Sequence, residues 1–228
     1  MTKRAKKEER PVPGKPEEID PGERVLAWVK ARRRSLTVAA VVVAVVGGGV
    51  WFTTTAQQRR EAFARRELSQ ARLAAESGNL ALATNDLSRL IGTYGGSRAA
   101  QEAALVLAQV RLLQNQAELA IVDLERFIAV GPDDDYQVQA HQLLGAALEQ
   151  TSRFAAAGEA YLAGANSPGF DFLRSELLLD AGRAFVLARD TARAVAAYER
   201  VLTEFEDPPG ATEARLRLAE LSRFDIAG

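Results

Sequence analysis

Three sets of positions in this chain keep one step of 37 residues. Ala83, Ala120, Ala157 and Ala194 form the first set. Ala71, Ala108, Gly145 and Gly182 form a second set of small residues, one helix earlier. Leu87, Leu124, Tyr161 and Tyr198 form a third, and all of these are bulky. No other feature narrows the choice of folds so far, because a fixed period of this length marks stacked supersecondary units. The clearest copy is 141–168, which reads as two amphipathic helices around a tight turn at Thr151–Arg153. Gly145 and Ala157 stand where the helices cross closely, Phe154 and Tyr161 give bulk to the second helix, and Pro168 stops it. A pair of this size cannot bury its apolar face alone, so neighbours must stack and share one continuous core. The predicted fold is all-α, a helical-pair solenoid.

Four helix-pair repeats are predicted over 57–210. Gln57–Glu76 pairs with Leu80–Thr93 across Gly78-Asn79. Ser97 caps a helix running to about Leu113, and Ala117–Val130 answers it before Gly131-Pro132 ends the pair. Asp133-Asp134-Asp135 lacks the alternating ligands and glycine of a calcium loop and is expected to cap and charge-match the N-terminus of the next helix. After the 141–168 unit comes a fourth pair over about Phe172–Leu187 and Thr191–Phe205. Residues 211–224 read as a C-terminal capping helix, with Leu216, Leu218 and Leu221 on its apolar side.

Ahead of the repeats lies a different kind of sequence. Residues 1–22 are rich in Lys, Arg, Glu and Pro with almost nothing to bury, and are expected to be disordered. Residues 23–35 form a basic juxtamembrane segment with Trp28 at headgroup level and Arg32-Arg33-Arg34 at its end. Residues 36–52 carry no charge, and continuing to Thr55 gives about 20 residues, the length of a bilayer core. A transmembrane helix over 36–55 is therefore expected, lying in membrane lipid. The rival is a cleavable signal, for which Thr55-Ala56 offers only a weak site. The arginine triplet on one side predicts a cytoplasmic N-terminus and repeats outside. Ala40, Ala44 and Gly48 make a four-residue stripe suited to helix packing in the membrane, although so Ala- and Gly-rich a segment also produces it by composition alone.

Charge follows the same division. Residues 1–35 are net +5 and the remainder net −6, with no lysine after Lys30. Cysteine is absent, which excludes disulfides, thiol catalysis and cysteine metal sites. His141 is the only histidine and stands on a packing face, where a satisfied structural role is expected. No nucleophile elbow, phosphate loop, metal cluster or dinucleotide fingerprint is present, so no catalytic, cofactor or metal site is assigned and the chain is not read as an enzyme. A net-acidic repeat region without a basic stripe also argues against nucleic acid.

Binding of proteins or peptides is what remains. In stacked pairs the first helices line the concave face, which places Leu68 and Arg72, Leu105, Gln109 and Leu112, Gln142 and Glu149, and Leu179, Arg183 and Val186 there. Leucines among separated polar groups suit an apolar or amphipathic peptide, although some of these leucines could equally be core.

Gly145 with Leu148, then Phe154, Ala157, Tyr161 and Pro168, and again Gly182, Phe185, Ala194 and Tyr198, resemble the small-large-small pattern of the tetratricopeptide repeat. That family steps by about 34 residues. The longer step predicts lengthened loops near Gly95–Gly96, Pro132, Pro168–Gly169 and Pro208–Pro209. The family's early tryptophan is missing, and His141 stands there in the third copy. Repeats without lysine disfavour the members that clamp a terminal carboxylate. The charged leader, the Glu23–Lys30 segment with Trp28, one span ending in Trp51 and repeats directly after it resemble the bacterial ancillary subunit of the Sec translocon. The Thr93–Ser97 turn and Ala-rich Ala99–Ala108 are similar to that family's repeats as well. That resemblance implies a single-pass inner-membrane protein with a periplasmic repeat domain, beside translocon subunits, emerging clients or periplasmic chaperones. An envelope-assembly or cell-division scaffold and a self-associating homo-oligomer stay open.

Overall fold

The computed structural model describes residues 22, 28, 30, 32–168, 171–205 and 208–226. Within its helices, the side chains of 33, 35, 36, 38–43, 50, 208, 209 and 224–226 lie outside that description. The expected disordered leader and most of the basic segment therefore fall outside the described residues. The described residues form nine helices and no strand. They are α1 (Arg33–Glu76), α2 (Leu80–Tyr94), α3 (Arg98–Leu113), α4 (Ala117–Val130), α5 (Asp134–Gln150), α6 (Phe154–Asn166), α7 (Asp171–Leu187), α8 (Thr191–Glu204) and α9 (Pro208–Ile226). The chain divides into two compact units, 1–56 and 57–228.

In the first unit the description covers residues 22, 28, 30 and 32 and the start of α1, with only some of its side chains. Val45, Val46, Trp51 and Phe52 are 60–69% exposed there. Among the described residues no helix is long and apolar enough to cross a membrane. The side chains of Leu36 and Val38–Val43, on which the expected span largely rests, lie outside the described residues.

In the second unit the remainder of α1 pairs with α2, α3 with α4, α5 with α6 and α7 with α8, and α9 closes the stack against α7 and α8. Each second helix packs on the next first helix (α2 on α3, α4 on α5, α6 on α7), and first helices also touch each other (α3 with α5, α5 with α7). The three-residue turn inside each pair is the same motif four times. Gly78, Asn115, Ser152 and Arg189, 37 apart, all have left-handed φ between 59° and 81°. At each turn the next residue's N–H reaches back five residues and the left-handed residue's own N–H reaches back three, as in Asn79 to Ala74 (2.9 Å) and Gly78 to Ala75 (3.0 Å). This double bond satisfies carbonyls at the helix end and reverses the chain.

The turns between pairs are also short, at three or four residues. The longer period does not lengthen the loops, contrary to expectation. Its extra residues go into the first helices, which run 16–17 residues in α3, α5 and α7. Three added residues are close to one helical turn, so they extend a helix without rotating its buried face far. The last helix also departs from expectation by starting at Pro208, because proline suits the first turn of a helix.

The 37-residue sets meet inside each pair. A Cβ built on Gly145 would overlap the Tyr161 ring, and one on Gly182 would overlap Tyr198. In the first two copies the corresponding residues are Ala71 with Leu87 and Ala108 with Leu124, all buried. A smaller partner leaves room for a methyl group, and a ring removes it. The expected continuous core is instead two clusters. One joins α1, α2 and α3, and the other runs from Leu105 and Ala108 of α3 through α9.

Candidate functional site

The concave face is built by the first helices, which lie in contact and repeat by 37 residues. Position by position it reads Leu68, Leu105, Gln142 and Leu179; then Arg72, Gln109, Ala146 and Arg183; then Ala75, Leu112, Glu149 and Val186. Leu68 and Leu105 are 3% and 2% exposed and do not line an accessible groove. Leu68 belongs to the cluster shared with Ala99 and Ala103 of α3, and Leu105 to the cluster shared with Ala140 and Leu144 of α5. The close approach of neighbouring first helices draws this position into the seam. Arg72, Gln109, Arg183 and Val186 are exposed, while Leu112, Gln142, Glu149 and Leu179 are half-buried.

Arginines tie the face together across pairs. Arg72 of α1 bonds Glu102 of α3. Arg183 of α7 donates to Glu149 of α5 at 2.9 Å and to Asp180 one turn back at 2.8 Å. Burial alone would lower the Arg183 pKa, but its bonds to Asp180 and Glu149 outweigh that and raise it. The Tyr161 phenol is raised by burial and by Glu149 and Asp180 nearby. Glu213 lies 30 residues after Arg183, as Glu102 lies 30 after Arg72, and it lines the same small pocket. This pocket of about 220 Å³ also holds Glu176, Asp180, Leu179 and Arg217. Its three carboxylates outnumber its two guanidinium groups, so the C-terminal end of the concave face is acidic.

Two cavities elsewhere have no counterpart in the sequence reading. One, of about 790 Å³, lies between Gln57–Arg65 and the α2–α3 turn, with Arg60, Glu61, Arg65 and Arg98 in its lining. There Glu61 accepts from the Ala99 N–H (3.1 Å) and from Arg65 (3.2 Å), a carboxylate placed on the N-terminus of α3. The other, of about 640 Å³, lies between α2 and α4 over α3. Its sequence signal was available in the register, where Ala104 occupies the position of His141 and Leu178.

His141 is packed but not satisfied, contrary to expectation. Its Nδ1 is buried with no hydrogen-bond partner among the described residues, and burial lowers its pKa. Asp134 and Asp135 lie in the first turn of α5, where their charge meets the helix dipole, and Asp135 also pairs with Arg98 (2.7 Å), but Asp133 at the N-cap makes no side-chain capping bond, contrary to expectation. Among the described residues no group of His, Asp or Glu could hold a metal ion. In α1, Ala44 and Gly48 are exposed, a Cβ on Gly48 would meet nothing within 4 Å, and the side chain of Ala40 lies outside the described residues.

The family described as a tetratricopeptide repeat-like domain matches residues 27–222. A comparison with curated proteins returns no match.

Proposed function

This chain belongs to the tetratricopeptide repeat-like domain family, and from that premise we propose that it is a membrane-anchored scaffold whose concave face binds protein segments. Its role would be accessory to protein translocation and periplasmic chaperoning. A repeat domain of this family is a protein–protein interaction scaffold. One observation carries the reading: Leu112, Leu179 and Val186 stay accessible among Gln109, Gln142, Glu149 and Arg183, on helices that touch in register. A segment with apolar and basic side chains suits that face, its apolar groups on the leucines and its cations on the acidic excess. The reading assigns the chain no reaction, no cofactor and no nucleic acid.

The membrane anchor draws support from two facts. The family match runs unbroken from residue 27, so the uncharged stretch 36–52 and the repeats fall in one matched region. Val45, Val46, Trp51 and Phe52 expose apolar surface that lipid would cover. The arginine triplet then puts residues 1–35 in the cytoplasm of a bacterium and 57–228 outside its inner membrane. The translocon assignment rests on the likeness of leader, Trp28 segment, span and repeats to the ancillary Sec-translocon family. Anchoring beside a channel raises the groove's effective concentration toward anything emerging from it.

Two experiments test the reading. Protease added to spheroplasts should digest the repeat domain, and protection until lysis would reverse the orientation. Photo-crosslinkers at Leu112 and Leu179 in native membranes should capture translocon subunits, emerging clients or periplasmic chaperones. Crosslinks only to further copies of this chain would favour the self-associating scaffold, and crosslinks to division or envelope proteins would favour that alternative.

A further inference from the structure

Away from the concave face, the repeat register leaves one gap unfilled. Two positions on α3, α5 and α7 lie between neighbouring second helices. In the fourth copy they hold Leu178 and Phe185, both fully buried. In the third they hold His141 and Leu148. In the second they hold Ala104 and Arg111, and there the 640 Å³ cavity opens. Its size is that of a ligand pocket rather than a packing defect. Ile91 of α2 and Phe127 of α4 form its walls and Leu107 of α3 its floor. The gap also lies where the apolar core breaks, with Ile91 and Leu107 in one cluster and Phe127 in the other.

Polar groups at the gap give it a sign. Arg111 pairs with Asp123 and donates to the Leu119 carbonyl at 2.9 Å, yet its Nε is buried with no hydrogen-bond partner among the described residues. Arg126 also lines the cavity, so two guanidinium groups face one carboxylate. The lining is net positive in a region, 36–228, that is net −6. Val130 at the same cavity is 82% exposed, an apolar contact without cover.

We infer that the gap between α2 and α4 is a docking site for a helical segment of a partner protein that presents one large apolar side chain flanked by carboxylates. The apolar side chain takes the volume that Leu178 and Phe185 take from within the chain two pairs later. A flanking carboxylate meets the exposed Arg126 guanidinium at the rim of the cavity. The surface is separate from the concave face and carries a charge preference of opposite sign.

The test uses the full chain and three labelled helical peptides: a central Phe flanked by Glu, the same peptide with Phe changed to Ala, and the same with Glu changed to Lys. The first should bind saturably and the other two should bind about tenfold more weakly or worse, as expected for an anchor residue and its charge. Ala104→Phe, or Ala104→Leu should the ring prove too large, should fill the gap from within and abolish binding while the chain stays helical. Arg126→Glu should transfer the preference to the Lys-flanked peptide, a switch that simple loss of structure cannot produce. Binding unchanged by Ala104→Leu, or absent for every peptide, overturns the inference. So does laurate shifting the Ala104 and Phe127 resonances when no peptide does, which would make the gap a fatty-acid pocket. Leu112→Asp should leave this peptide untouched, so failure here and failure of the concave-face reading can be told apart.

Discussion

The two halves of the solenoid solve one packing problem differently. In the first two copies, alanine faces leucine across each pair (Ala71 with Leu87, Ala108 with Leu124), and the gap over Ala104 is open. In the last two, glycine faces tyrosine (Gly145 with Tyr161, Gly182 with Tyr198), and the equivalent gap is closed by Leu178 and Phe185. The turns reverse that order. Gly78 and Asn115 hold the left-handed position in the first half, whereas Ser152 and Arg189 hold it in the second. Glycine takes that conformation freely and asparagine tolerates it, while other side chains meet the following carbonyl. The first half thus has relaxed turns and an open core, and the second a filled core on strained turns. Each repeat answers mainly to its neighbours, so such local settlements can differ along one chain.

Converting one half into the other should have the largest effect. Gly145→Ala drives a methyl group into the buried Tyr161 ring and should cost about 1–3 kcal/mol. Tyr161→Leu leaves a void beside Gly145 and should cost about 2 kcal/mol or more. Together they recreate the Ala108–Leu124 pair, so the double variant should lose clearly less than the sum, with a coupling of about 1 kcal/mol or more. Urea denaturation of the four chains measures the cycle. Strict additivity would mean that the two residues do not set each other's size.

Filling the open half should have a smaller effect. Ala104→Leu copies Leu178 into the second copy and should stabilise by about 1 kcal/mol, read as a higher denaturation midpoint at unchanged slope. A lower midpoint would show that the neighbours of Ala104 cannot receive a side chain as those of Leu178 do.

His141 stands at the same register position with its Nδ1 unpartnered. Burial lowers its pKa below the ordinary 6.5, so the unfolded chain binds the proton first as pH falls. The contribution is therefore full above about pH 6.5 and is lost progressively as pH drops through that value toward the lower folded one. Melting temperature should decline over that window, and His141→Leu, the residue of the fourth copy, should flatten the decline. An identical slope in both chains would remove His141 as the source.

The fold was legible in the sequence because a solenoid repeats its constraints. Four alanines, four small residues and four bulky ones at one spacing restate a single crossing geometry, and Ser97, Gly131 and the turn at Thr151–Arg153 mark helix ends by local chemistry alone. The concave face was legible only in part. Helical phase alone puts Leu68 and Leu105 on the same side as Arg72 and Gln109, but how closely neighbouring first helices approach decides that the leucines are buried. Pairing is likewise a property of assembly: Arg183 reaches Glu149 across 34 residues and Arg72 reaches Glu102 across 30. The open gap was written in the register too, but as missing bulk, and an alanine in an alanine-rich helix gives no local sign of it.

The smallest expected effect concerns the turns. At each one the left-handed residue closes the same double bond, whether it is Gly78 or Arg189 (Asp190 to Phe185 and Arg189 to Val186, both 2.9 Å). The hydrogen bonding being equal, the difference between copies is the cost of a Cβ at positive φ, about 1–2 kcal/mol, less the greater freedom glycine loses on folding. Arg189→Gly and Ser152→Gly should therefore each stabilise by about 0.5–1 kcal/mol, while Gly78→Ala should destabilise by about 1 kcal/mol. Asn115→Gly should change least, because asparagine already tolerates this conformation. Arg153→Ala, one residue past the Ser152 turn, is the control: its bond to Glu118 is exposed on both sides, and its loss should stay within about 0.5 kcal/mol. Denaturation midpoints in the order Arg189→Gly, Asn115→Gly, wild type, Gly78→Ala would establish that the second half carries turn strain that the first does not. If Arg189→Gly instead destabilises, the packing of the Arg189 stem outweighs the strain, and the contrast between the halves is confined to their cores.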